Sequence, residues 1–395
     1  MDPTSSPIRL VHNTIPNEEI DQLIEWLKTY PKLTKGELTI EFEKQWSAWL
    51  GRKYSVFVNS GSSANYLLLA ALKQQGILKD KCNVIVPALS WATTVAPVMQ
   101  LGMTPVLCDV DMETLGLNTD HLQQLMDSYD IGAIMLVHVL GFPCDMDKIR
   151  SICKDIPIIE DSCETVGSKY KTAKAGTFGI ASTFSTYFGH HFSTIEGGLI
   201  STDDENLYHT LLCMRSHGWA RDLPDSKRKE LEIRYYANEI NEFEALYTFY
   251  EPGYNFRSTD LQAFLGINQL KTLNENNKIR YQNLLHYNEL LENPNYKIHP
   301  NKFGFVSNFA YPIIFRCTEQ RTEAYQKLKE NNIDSRPLVA GNMGVQPFFV
   351  KRFGAVYPTY ATTIHKCGMY VPNNPYMTRE TVARVCGVLN PILGN

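Results

Sequence analysis

At 395 residues the chain is too long for one small core, so two domains, or a large one with a smaller companion, are expected. Its 44% hydrophobic and 20% charged residues are those of a globular protein, and a formal charge of −4 excludes nucleic acid or an anionic membrane as the main partner. Any anionic ligand must therefore be held by a local pocket.

No stretch reaches the roughly 20 apolar residues of a membrane span. The opening residues, Met1 to Pro7, carry no basic flank or apolar run, so neither a secretion signal nor a membrane partner is expected. Nine cysteines, an odd number without C-x-x-C spacing, read as reduced thiols of a cytoplasmic protein that has no metal site.

The first 35 residues are expected to pack across the smaller domain or onto a partner subunit. From residue 50 to 201, β-rich runs alternate with helical patterns. Strands are predicted at Tyr54–Val58, Asn83–Pro87, Thr104–Cys108, Ala133–His138, Pro157–Glu160, Ala181–Thr186 and Leu199–Ser201. Continuously apolar runs such as Val84-Ile85-Val86 suit strands covered on both faces. The alternation predicts an α/β domain, a mostly parallel sheet with helices on both faces. The charged stretch from about 221 to 250 breaks this rhythm and reads as an exposed helical insertion. Ser258-Thr259-Asp260 reads as a helix start, and the leucines from Leu261 to Leu291 predict one long or kinked helix leading into a smaller α+β domain. The expected division is thus 1–260 and 261–395.

Three motifs point to chemistry. Asn59-Ser60-Gly61-Ser62-Ser63-Ala64-Asn65 follows a strand and opens an apolar helix. Free N–H groups, a positive dipole end and a glycine allowing close approach make it an anion site suited to phosphate, although the same pattern also serves as a plain helix cap. Asp161 ends the buried run Ile158-Ile159-Glu160-Asp161, at the strand end where open parallel sheets bind ligands. There a carboxylate can hold a pyridinium N–H; alone it could equally cap a turn. Trp91 follows another strand end and could stack on a flat ring or simply pack.

The segment Tyr187-Phe188-Gly189-His190-His191 through Glu196-Gly197-Gly198 joins these. With Gly61–Asn65, Glu160-Asp161, Arg215-Ser216-His217-Gly218 and Gly253-Tyr254-Asn255-Phe256-Arg257, it resembles the DegT/DnrJ/EryC1/StrS family of fold-type-I sugar aminotransferases over about residues 30 to 390. In that family a lysine six residues before the Glu of Glu-Gly-Gly tethers pyridoxal phosphate. Here that position is His190, and no lysine lies between Lys174 and Lys227. A histidine there, with Cys163-Glu164 after Asp161, is similar to the GDP-4-keto-6-deoxy-D-mannose-3-dehydratase subgroup of colitose biosynthesis. CDP-linked relatives also carry the histidine but use an iron–sulfur cluster and a reductase. The absence of clustered cysteines sets this chain with the cluster-free type.

The resemblance implies a lyase working with untethered pyridoxamine or pyridoxal phosphate, a nucleotide-linked 4-keto-6-deoxy sugar, and L-glutamate as amino donor. His190 would be the base, since an imidazole is largely unprotonated at neutral pH and a lysine is not. His191 competes for that role or touches substrate, and His217 would lie near the sugar. Gly61, Ser62, Ser63 and Ser185 would hold the phosphate, and Asn255 would reach in from a second subunit, making a homodimer with shared sites. Glu164, where the aminotransferases usually have Gln, would meet the cofactor's phenolic oxygen or be structural. The alternatives are an aminotransferase using a displaced Lys174 or Lys227, a CDP-linked dehydratase, and a non-catalytic protein that lost its lysine.

Overall fold

The seven expected runs pair into one sheet in the computed structural model, which describes residues 6–236, 239–294, 296, 298, 299, 302 and 304–394. Its strands are β1 (Tyr54–Val58), β2 (Asn83–Pro87), β3 (Thr104–Cys108), β4 (Ile131–Val137), β5 (Ile158–Asp161), β8 (Ala181–Ser185) and β9 (Gly198–Thr202), while β6 (Lys169–Tyr170) and β7 (Ala173–Lys174) form a separate ribbon. The order across the sheet is β1-β9-β8-β5-β4-β2-β3. All strands run one way except β9, which is antiparallel to both neighbours. Several strand ends differ from expectation: β4 stops at Val137, β5 begins at Ile158, β8 stops at Ser185, and β9 runs one residue further at each end. β4 starts two residues early, where its register against β2 shifts, and β5 extends through Asp161.

Alternate residues of these strands enter two separate apolar clusters. Val84, Val86, Ala133, Met135 and Val137 face one way, and Ile85, Ile134 and Leu136 the other. Both faces are thus covered, which is why these runs are apolar throughout rather than alternating. The helices α1 (Asn17–Leu27), α2 (Glu37–Leu50), α3 (Gly61–Gln74), α4 (Ala92–Gln100), α5 (Thr119–Ser128), α6 (Met146–Cys153) and α7 (Glu205–Arg215) belong to this half of the chain. In the charged stretch, α8 (Asp225–Tyr236) and the short α9 (Glu242–Ala245) contain no buried residue. Residues 237 and 238 of the expected insertion lie outside the described residues.

The long helix α10 (Asp260–Leu290) starts where predicted, with Thr259 and Gln262 forming a reciprocal capping box. Its first carboxylate also caps a second helix: Asp260 accepts from the N–H groups of Gly36, Leu38 and Thr39 at the head of α2. Beyond it, β10 (Ala310–Ile314), β11 (Arg336–Pro337) and β12 (Gly368–Pro372) make a three-stranded sheet in the order β10-β12-β11. Helices α11 (Thr318–Glu330), α12 (Pro347–Phe353), α13 (Thr359–Cys367) and α14 (Arg379–Leu393) complete this part.

The N-terminal segment packs across it. Ile8 bridges Ile333, Arg9 pairs with Asp334 at 3.0 Å, and Trp26 of α1 stacks on Phe264 of α10. Residues 1–5 of that segment lie outside the described residues. Among the described residues no helix is long and apolar enough to cross a membrane.

Candidate active site

Because the strands other than β9 share one direction, their C-terminal ends collect the predicted residues along one edge of the sheet. Val58 and Ser185 both pair with Gly198, and Asp161 pairs with Thr183, so the ends of β1, β9, β8 and β5 lie side by side. The turn after β1 is a helix cap with the free N–H groups an anion site requires. Ser60 caps α3 by accepting from Ser63 N–H at 3.0 Å, which leaves the first N–H groups, of Gly61 and Ser62, without helical partners. Space explains the glycines. A Cβ on Gly61 would lie 2.7 Å from that of Ser185, and one on Gly198 would lie 2.6 Å from the nitrogen of Gly61. Ser185 is buried beneath the turn, and Ser62 is exposed on it.

Asp161 is buried and firmly held. Its Oδ2 accepts from Asn65 Nδ2 at 2.9 Å and Thr94 Oγ1 at 2.8 Å, its Oδ1 accepts from Cys163 N–H at 3.2 Å, and the Cys163 thiol also lies against the carboxylate. Each carboxylate oxygen has two lone pairs, so Oδ1 can take a donor besides the Cys163 N–H. Such a turn and a buried carboxylate able to take a further donor fit a phosphorylated pyridine. The sequence signals neither Asn65 nor Thr94 as a partner of Asp161, beyond Asn65 being a buried polar residue in the largely apolar α3.

His190 sits on the loop joining β8 to β9. Backbone bonds from Thr186 to Gly197 and from Phe188 to Ile195 close that loop, and Phe192 pins it in the core against Trp46. His190 Nδ1 lies 2.8 Å from the Cys163 carbonyl. A carbonyl only accepts, so Nδ1 carries the proton of the neutral ring and Nε2 is the free base. Burial pushes the His190 pKa below its ordinary value, assisted by Arg280 and opposed by the Cys163 carbonyl and Asp161. The neighbouring His191 is a different environment. It is 0% exposed, its Nε2 donates to the Ser307 carbonyl at 3.0 Å, and burial holds it well below the usual histidine range.

Glu164 is half-buried, with Oε2 accepting from Leu140 N–H at 3.0 Å. Burial, with Asp161 nearby, pushes it up to about 7. Trp91 is 59% exposed at the start of α4. Asn255 is exposed and accepts from Arg257 Nε at 3.1 Å, and Arg257 also faces His217 at 3.4 Å. His217 adopts a left-handed backbone, φ 63°, next to Gly218. The two lysines that could replace residue 190 are engaged elsewhere: Lys174 with the Trp49 carbonyl and ring, Lys227 with Glu230.

A GDP-4-keto-6-deoxy-D-mannose 3-dehydratase of Yersinia pseudotuberculosis is 37% identical over 365 residues, covering 90% of this chain and 91% of the relative. A solved GDP-4-keto-6-deoxymannose-3-dehydratase with a trapped PLP-glutamate geminal diamine superposes with a TM-score of 0.86 at 31% identity, covering 97% of this chain and 100% of the other. A variant of such an enzyme with bound GDP-perosamine gives 0.86 and 32%, covering 97% and 100%. The model of the DegT/DnrJ/EryC1/StrS aminotransferase family matches residues 13–390. The chain belongs to that family, with the fold-type-I architecture its sheet order displays.

Proposed function

We infer that the chain is a pyridoxamine-phosphate-dependent lyase that removes the C3 hydroxyl of GDP-4-keto-6-deoxy-D-mannose. One observation carries this: residue 190 is an imidazole whose Nδ1 is fixed on a carbonyl and whose Nε2 is free, where family aminotransferases hold a tethering amine. When bound, the cofactor supplies an amine that engages the sugar ketone and a ring that accepts the electron pair released at its methylene carbon.

The protein's residues do the rest. The Gly61–Ser63 turn and Ser185 hold the phosphate, Asp161 holds the ring nitrogen, and Trp91 covers a ring face. His190 Nε2 takes the methylene proton, and the resulting imidazolium returns a proton to the departing hydroxide. Glu164 meets the phenolic oxygen, and His217 approaches the sugar. L-glutamate restores the amine form. Asn255, exposed on its own subunit, completes the site of a second one, so the working unit is a homodimer with shared sites. In this arrangement residues 1–260 carry the cofactor and 261–395 close over it. No iron–sulfur reductase takes part, and the unpaired cysteines support action in the cytoplasm.

Incubation with pyridoxamine phosphate, L-glutamate and GDP-4-keto-6-deoxy-D-mannose tests the reading. Release of one ammonia per 3-deoxy sugar is expected. An aminated sugar without ammonia would make the chain an aminotransferase, and equal turnover of the CDP sugar would remove the assigned nucleotide.

A further inference from the structure

Behind the site, α10 buries a cation, Arg280, that forms no ion pair among the described residues. Arg280 is 3% exposed, and its Nη1 donates to the Phe309 carbonyl at 3.0 Å and to the Asn373 carbonyl. Its Nε has no hydrogen-bond partner among the described residues. Its neighbours are amides rather than acids. Asn373 Nδ2 donates to the Arg280 carbonyl and to Asn308 Oδ1, each at 2.9 Å, and Asn283 Nδ2 donates to Asn373 Oδ1 at 3.1 Å. Burial pushes the guanidinium down to about 9, so it stays charged at neutral pH. A buried charge without an opposite partner is costly and seldom retained for stability alone.

What this cation touches leads back to the loop. The Phe309 backbone that Arg280 holds carries a ring 5.4 Å from the His190 ring and 5.9 Å from the His191 ring. Two residues earlier, the Ser307 carbonyl takes the His191 N–H. We propose that Arg280 is a positioning residue for the His190 base: it fixes Phe309 against the imidazole and keeps a permanent positive charge behind it, so that the ring works unprotonated. This rests on the reading of His190 as the base.

The groups facing His190 can be named element by element. The Cys163 carbonyl and the Asp161 carboxylate come from the end of β5 and the turn after it, Tyr187 and His191 from its own loop, Phe309 from the approach to β10, and Arg280 from α10. The carbonyl and Asp161 favour protonation. Burial and Arg280 oppose it, and the balance falls on the unprotonated side. A lysine at 190 would be a poor neighbour for this cation, while a neutral imidazole is a good one.

The test is a titration of histidine 13Cε1 resonances in the cofactor-loaded protein, with residue 190 identified by its absence in His190→Asn. Native protein is compared with Arg280→Lys, which keeps the charge, and with Arg280→Gln and Arg280→Met, which remove it. The expected native midpoint lies below about 6.5. It stays there in Arg280→Lys and rises by about one pH unit in the neutral variants. The acid limb of kcat/KM moves with it. A neutral variant with an unmoved midpoint overturns the proposal. So does a native midpoint at or above about 6.5, which needs no variant to fold. If instead His190→Asn keeps full turnover, the base reading fails, whatever Arg280 does to the midpoint.

Discussion

The loop from Thr186 to Gly197 and the stretch from 221 to 250 are both rich in aromatics and both interrupt the rhythm of strands and helices, yet the first is anchored at its centre and most of the second is not. In the loop, Phe192 is buried against Trp46, His191 is sealed under Phe309, and backbone bonds close both ends. In the other stretch α8 has no buried residue, and Phe243 is 83% exposed. Aromatic content alone therefore places nothing. What orders the loop is a set of anchors on every side, and a base that must meet a reacting carbon needs them.

Substitutions can break or sharpen this contrast. The largest effect belongs to His190→Asn, which keeps a polar group on the anchored loop but removes the base. Turnover should fall by about a thousandfold, as general-base removal does, with the melting temperature nearly unchanged. Gly198→Ala comes next. A methyl group there would meet Gly61 N at 2.6 Å, so a loss of about 1–3 kcal/mol from overpacking is expected in denaturant titration, together with weaker cofactor binding.

A smaller, pH-dependent effect belongs to Glu164. Its pKa is raised to about 7 in the folded chain, so the folded state holds the proton longer than the unfolded state does. That contribution to stability is complete below the ordinary carboxylate pKa and is lost as pH rises through about 7. Partial exposure damps it. The native melting temperature minus that of Glu164→Gln should fall between about pH 4.5 and 7; a difference that stays flat would remove the raised pKa. Lys227→Ala on α8 is the smallest. Its partner Glu230 is solvent-exposed, so the change should stay within about 0.5 kcal/mol, and a larger one would mean that α8 is held by more than its surface contacts.

Much of this was legible in the sequence because local signals and global fold agree. Apolar runs gave the strands, Ser258-Thr259-Asp260 gave the start of α10, and the six-residue spacing from His190 to Glu196 located the departure from the family. Contacts far apart in the chain were not legible. The bond from His190 to Cys163 spans 27 residues, and the clasp of Asn65 on Asp161 spans 96. Neither leaves a periodic trace. His190 and His191 look interchangeable in the sequence, and only the fold shows the first half-buried with Nδ1 on the Cys163 carbonyl and the second fully buried with Nε2 on Ser307. Arg280 likewise reads as one more polar position on a long helix until the fold shows it buried, with no ion pair among the described residues.

The central claim is that the His190 imidazole moves a proton at the cofactor's methylene carbon. Exchange of that proton with deuterated solvent, followed by NMR in the presence of pyridoxamine phosphate and the keto sugar, examines the step without waiting for product. Native protein should exchange one of the two methylene protons stereospecifically, and His190→Asn should slow that exchange by about a thousandfold. Exchange at an unaltered rate in His190→Asn would contradict the account.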